Sequence, residues 1–219
     1  MSSSCSLCEN RESAVVLKAN NSRKPESCSK ICYRRCARCS FVFLDIDYEL
    51  RKGDYLSDEG REDKLDQMVE QQQKEGRELL EYQRKFISSP SHNSKVLDTG
   101  SSVSGCLGVY KGIGSQVYGV EPNRQFAEHS QKRFGIEVIA DFYSPTLFPS
   151  DYFDLILCYH MLEHCPKPEE IIRGFNYNLK EGGYLHLELP NLYFTSAWQL
   201  GWRHVSMFTP RILRQLLEN

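Results

Sequence analysis

Three groups of residues in this 219-residue chain have types and spacings that could do chemistry. The first is thiolate. Cys5-x2-Cys8 and Cys36-x2-Cys39 are two knuckles of equal spacing, with 27 residues between Cys8 and Cys36. Each knuckle offers two thiolates to one metal, and two knuckles complete a tetrahedral shell, which points to zinc. Four cysteine ligands leave no open position, so this zinc is expected to be structural. Cys28 and Cys32, four apart, could replace one member or be free thiols. The second group is acidic: Asp98, Glu121 and Asp141 each follow or end an apolar strand-like run. The third is imidazole: "HMLEH" at 160–164, and His204 in "GWRHVSMF".

The stretch "VLDTGSSVSG", residues 96–105, reads as a strand entering a glycine-rich turn that opens a helix. A dinucleotide fingerprint requires GxGxxG, whose second glycine lets the backbone approach a pyrophosphate. Ser102 obstructs that approach, Ser104 departs from the pattern again, and Asp98 would repel the phosphates. No Gly-Lys-Ser/Thr follows, which excludes a Walker loop. A ligand with adenosine but no phosphates meets both objections, and S-adenosylmethionine is such a ligand. Its ammonium and sulfonium are cations that a nearby carboxylate favours. Glu121, 23 residues beyond Asp98, could accept from two ribose hydroxyls. Asp141 could accept from the adenine amine.

These residues need elements to position them. "AVVLK" and "FVFLDI" are short strands around the cysteines, and a ribbon of about 40 residues draws its folding energy from metal rather than core. "RKGDYLSDEG" reads as a linker. From Arg61 a helical period places Leu65, Met68, Val69, Gln72, Leu79, Leu80, Gln83, Phe86 and Ile87 on one face, up to Ser88-Ser89-Pro90. Such a helix packs on the main domain or lids a cleft. After residue 94, strands and helices alternate: "KVLDTG", helix 103–113, "QVYGVEP", helix 123–135 capped by Asn123 and stopped by Gly135, "IEVIADF", "YFDLILCYH", a helix from Lys167 with Ile171, Ile172, Phe175 and Leu179 inward, "YLHLELP", and a last helix capped by Thr209-Pro210. Such alternation predicts a parallel sheet covered by helices, with ligands beyond the carboxyl ends of its strands.

Composition adds bounds. With 40% hydrophobic and 26% charged residues, the chain can bury one sizeable core. No apolar run spans a membrane, and the start lacks a secretory pattern, so the expected compartment is the cytoplasm. Residues 1–44 hold eight Lys/Arg and three Asp/Glu, whereas the remainder holds 19 and 26. A basic head on an acidic body predicts two units: a zinc-ribbon-like segment 1–44, a linker and connecting helix 45–93, and a ligand-binding domain 94–219. The head lacks a Lys/Arg–aromatic array, so nucleic acid is not an expected partner.

The body resembles a class I S-adenosylmethionine-dependent methyltransferase. The resemblance rests on "VLDTGSSVSGCL", "VYGVEPN", "YFDLILCYHMLEHCPKPEEII", "LKEGGYLHLELPN" and "RHVSMFTPRILRQLLEN". The head, "CSLC…CARCSFVF", is similar to zinc knuckles that precede this domain in a bacterial branch associated with surface-polysaccharide and secondary-metabolite pathways. The resemblance implies that Asp98, Gly100, Ser101, Ser102 and Gly105 hold the methionine end of the cofactor. It puts Glu121 and Pro122 at ribose, Asp141 and Phe142 at adenine, and Tyr159 and His160 along the cofactor cleft. Ser102 and Ser104, where the family has glycine, bear on affinity rather than on cofactor class. The family sheet has strand order 3-2-1-4-5-7-6, and only five strands are readable here, so a Rossmann-like sheet of order 3-2-1-4-5 is expected. Strand 184–190 would then be an exposed edge, open to a partner or to self-association.

"HMLEH" also fits the HxxEH metalloprotease signature, which needs a helix. Here the segment follows a strand and is cut off at Pro166, so protease chemistry is not expected, and His164 reads equally as a core or capping residue. Transfer to an oxygen or carbon nucleophile of a small-molecule acceptor, such as a sugar or secondary-metabolite intermediate, needs a general base, for which His160 and His204 are the candidates. The alternative is a non-catalytic binding scaffold built on a degenerate methyltransferase fold.

Overall fold

The computed structural model describes residues 4–20, 30–45, 64–87, 90–194 and 203–218. Cys28, the 51–60 linker, the first residues of the helix expected from Arg61, and Ser88-Ser89 lie outside them. The chain forms two compact units. One comprises residues 50–159 and 174–187, and the other 1–49, 160–173 and 188–219.

The first unit holds the nucleotide-type sheet. Its elements are α1 (Leu65–Gln83), β4 (Lys95–Thr99), α2 (Gly105–Gly112), β5 (Gln116–Val120), α3 (Arg124–Phe134), β6 (Val138–Ile139) and β7 (Phe153–Tyr159). Helix α4 (Pro168–Asn178) ends in it, and β8 (Leu179–Glu188) follows directly. The strand order β6-β5-β4-β7-β8 is the expected 3-2-1-4-5, with β4 parallel to both β5 and β7, and β5 parallel to β6. Buried Val96, Leu107, Tyr110, Ile136, Leu155 and Leu157 form its core, joined by Leu80 of α1.

Helix α1 approaches α2 closely, and two glycines permit this. A side chain at Gly76 would meet the Cys106 backbone at 3.1 Å, and one at Gly105 would meet the Val69 carbonyl at 2.6 Å. Gly76 therefore weakens the helix locally and enables its packing. Val69, Leu80 and Gln83 are buried as the period predicts, but the helix stops at Gln83 and Phe86 beyond it is 68% exposed, its ring tilted against Tyr82. Asn123 caps α3 by accepting from the Gln125 and Phe126 N–H groups, and Gly135 ends it in the left-handed conformation. Two strands differ in extent from expectation. The third is only Val138–Ile139, and the fifth begins at Leu179 and takes in "LKEGG", with Gly182 in the left-handed region at φ +74°. Leu179, expected on the inner face of a helix, is thus a strand residue. Among the described residues β8 ends the sheet order, with Tyr184 exposed.

The second unit is built on an antiparallel sheet. β1 (Ser13–Asn20) pairs with β2 (Lys30–Cys36), β2 with β3 (Val42–Leu44), and β3 with β9 (Ser206–Met207) from far along the chain. Ile31, Tyr33, Val42, Leu44, Val205 and Met207 bury one face. Helix α5 (Pro210–Glu218) follows, its Ile212 N–H donating to the Thr209 hydroxyl. No helix among the described residues is long and apolar enough to cross a membrane.

Candidate functional site

At the carboxyl end of β4 the chain makes the turn that leads into α2. Gly100, Ser102 and Ser104 have φ values of 75°, 48° and 56°. The backbone therefore adopts a glycine-type turn with serine at two left-handed positions, at a cost of roughly 1–2 kcal/mol each. Local hydrogen bonds offset this. The Gly100 and Ser101 N–H groups donate to the Val120 carbonyl, Ser104 N–H donates to the Ser101 carbonyl, and the Ser104 and Ser101 hydroxyls are 3.2 Å apart. Glu121, at the end of β5, is buried and joins both turns: Ser102 N–H donates to its Oε2 at 2.9 Å and Asn123 N–H to its Oε1 at 2.8 Å.

Asp98 is buried, and desolvation, then the nearby Glu121 charge, pushes its carboxyl up to about 7. It lines a solvent-open cleft of about 430 Å³ with Gly100, Cys106, Leu157, Tyr159 and three residues of α1: Gln72, Glu75 and Leu79. Gln72 also accepts from the Gly105 N–H at 2.9 Å. Helix α1 thus packs on the domain and walls the cleft, two roles that its period alone left as alternatives. Ser101 is buried, whereas Ser102 and Pro122 are half-buried. Asp141 is exposed, its Oδ1 accepting from Phe142 N–H at 2.7 Å.

The histidines fall in the other unit. His160 is exposed, with φ +50°, its Nδ1 3.2 Å from Glu163 Oε1. Leu162–His164 is a short 3-10 turn rather than the α-helix a metalloprotease motif needs. His164 and His204, 40 residues apart, meet with ring centroids 5.0 Å apart. Burial, then the neighbouring His164, lowers the His204 pKa to about 4. That makes His204 a weak base with an unprotonated nitrogen at neutral pH.

The four knuckle cysteines also meet, all Sγ atoms lying within 4.8 Å of one another. Cys5 and Cys39 are 3.6 Å apart, and Cys8 and Cys36 are 3.5 Å apart. Tetrahedral zinc with about 2.3 Å bonds needs Sγ separations of about 3.8 Å. The two knuckles repeat one geometry: Glu9 N–H donates to the Cys5 carbonyl and Ser40 N–H to the Cys36 carbonyl, with both Glu9 and Ser40 left-handed. Burial raises the Cys36 thiol, but the Cys39 and Arg38 N–H groups outweigh it and bring the pKa to about 6; burial leaves Cys5 at about 11. Cys32 lies in β2 opposite Lys18, outside this quartet.

The sheet order, the left-handed turn and the buried carboxylates beside it define the Rossmann-like fold of S-adenosylmethionine-dependent methyltransferases. A family model described as a methyltransferase domain matches residues 51–219, and the chain belongs to that family. Solved structures agree on the fold. A SAM-dependent methyltransferase from Archaeoglobus fulgidus is 24% identical at TM-score 0.52, over 65% of this chain and 67% of its own. A Listeria monocytogenes protein assigned as S-adenosylmethionine-dependent is 13% identical at TM-score 0.53, over 63% and 80%. A Bacillus halodurans protein assigned as a methyltransferase is 15% identical at TM-score 0.51, over 60% and 64%, so this chain spans less than two thirds of that relative's length. No curated protein matches the chain.

Proposed function

We propose that this chain binds S-adenosylmethionine at the turn after β4 and methylates an oxygen or carbon nucleophile of a small molecule, with a sugar or secondary-metabolite intermediate as the class to screen. The observation that carries this reading is the left-handed turn with buried Asp98 beside it and Glu121 fixed by the Ser102 N–H. The donor set fits this cofactor: two buried carboxylates suit a cation and a ribose, and would oppose a pyrophosphate. When bound, the cofactor supplies a methyl group on an electrophilic sulfonium. Asp98, Gly100, Ser101, Ser102 and Gly105 would hold its methionine end. Glu121, whose oxygens each have two lone pairs, would take ribose hydroxyls beside its backbone donors, with Pro122 adjacent. Asp141 and Phe142 would face adenine, and Tyr159 would wall the cleft. His160, held near Glu163, remains the better candidate for moving the acceptor's proton, since His204 is a weak base.

The cysteine quartet would hold one zinc ion, its role being to stabilise the sheet around β1–β3. Incubation with methyl-labelled cofactor and a panel of sugar nucleotides and small phenols tests the reading. Transfer of label to at least one acceptor class is expected, and its abolition in Asp98→Ala ties the transfer to this site. Absence of transfer to every acceptor, with cofactor demonstrably bound, would remove small-molecule methylation.

A further inference from the structure

The methyl-transfer reading uses only His160 of "HMLEH", and the rest of the motif lies in a second cluster within one unit. Glu163, His164 and His204 each present a ligand atom, all within 4.8 Å of one another. Glu163 is 2% exposed, and its Oε2 is buried with no hydrogen-bond partner. The Nδ1 of His204 is likewise buried and unpartnered. Two buried polar atoms without a hydrogen-bond partner thus belong to residues of one cluster. Each such atom is costly unless something fills the space.

The cluster is also clamped. Val205 N–H donates to the Glu163 carbonyl at 2.8 Å, the Ser206 hydroxyl to the Cys165 carbonyl at 2.7 Å, and the Tyr33 hydroxyl to the His204 carbonyl at 2.7 Å. The 162–164 turn is thereby fastened to the segment that carries His204 into β9. His164 Nδ1 lies 2.8 Å from the Arg203 carbonyl, which can only accept, so the proton sits on Nδ1 and the ring's lone pair on Nε2. His160 Nδ1 approaches the other Glu163 oxygen at 3.2 Å and orients that carboxylate.

From this geometry we infer that Glu163, His164 and His204 form a binding site for a divalent first-row transition metal. Two imidazoles and one carboxylate suit Zn2+, Mn2+ or Fe2+, and three protein ligands leave positions open for an oxygen donor. Metal–ligand bonds of 2.0–2.2 Å place ligand atoms about 3.0–3.5 Å apart, so side-chain rotations closing the cluster by about 1.5 Å complete it. The site differs from the cysteine quartet in kind, because it is open and lacks sulfur. It stands independently of the methyl-transfer reading.

Mn2+ is the discriminating probe, since a thiolate quartet does not favour it. The full-length protein, carrying only the single equivalent of zinc that the thiolate quartet takes first, is titrated with Mn2+ and free ion is followed by electron paramagnetic resonance. One equivalent is expected to bind, with affinity at least tenfold lower in Glu163→Gln and in His204→Ala, and unchanged in His92→Ala. Thermal melts without Mn2+ establish that the variants fold. Should they not, paramagnetic broadening in the wild-type protein decides: loss of the His164 and His204 ring resonances supports the site, and broadening confined to other residues overturns it. Lack of Mn2+ binding by the wild type, or binding within twofold in both folded variants, overturns it equally.

Discussion

Ser102 N–H donates to Glu121 Oε2 across 2.9 Å, from the turn after β4 to the end of β5. The other Glu121 oxygen accepts from Asn123 N–H at the start of α3. One carboxylate therefore shapes both turns that border the cleft. Glu121→Ala is expected to weaken cofactor binding by about 1.5–3 kcal/mol and to destabilise the protein by about 1–3 kcal/mol through two stranded backbone donors. Calorimetric titration and denaturant unfolding measure the two effects. Loss of stability with unchanged affinity would leave Glu121 a turn residue only.

The serines in the turn give a second prediction. Ser102 is half-buried at φ +48°, where glycine carries no steric penalty. Ser102→Gly is expected to stabilise the protein by about 1 kcal/mol, less the added freedom of the unfolded chain. Ser102→Val should destabilise it. Equal unfolding midpoints for the glycine and valine variants would contradict the strained turn.

Asp98 makes a pH-dependent prediction. Its folded pKa of about 7 lies above that of an unfolded aspartate, so the native state keeps a proton that the unfolded chain releases. Stability of the cofactor-free protein should fall as pH rises from about 4 to 7, by up to roughly 4 kcal/mol from this group. A cationic ligand favours the ionised form. Cofactor affinity should therefore rise with pH up to about 7, and binding at pH 6 should release a proton. Titrations in buffers of different ionisation enthalpy read that proton. Its absence, or affinity flat from pH 5.5 to 8, contradicts the assignment.

The sheet order was legible because strand and helix periods alternate cleanly from residue 95 onward, and Asn123 and Gly135 mark their helix with local chemistry. The cysteine quartet was legible from two equal spacings. Other features left no local trace. β9 is two residues long, and its pairing with β3 joins positions more than 160 residues apart. His164 and His204 meet because His204 lies two residues before that strand. The left-handed serines were hidden because the pattern reads residue types, whereas the turn needs φ angles that hydrogen bonds to Val120 and Glu121 enforce.

The cysteine quartet predicts about one tightly held zinc ion. Its removal by a strong chelator should unfold the β1–β3 sheet, because structural zinc contributes an apparent 10 kcal/mol or more to small sites. Amide spectra of β1–β3 residues before and after chelation report this. Undisturbed spectra in a metal-free protein would rule out a structural ion there.

The central claim is cofactor binding beside Asp98 and Glu121. Calorimetric titration of the wild-type protein with S-adenosylmethionine at pH 7.5, repeated with Asp98→Ala, tests it most directly. Micromolar binding of one equivalent, weakened at least tenfold in the variant, is the predicted result. No heat of binding at millimolar cofactor, or equal affinity in the two proteins, would contradict it.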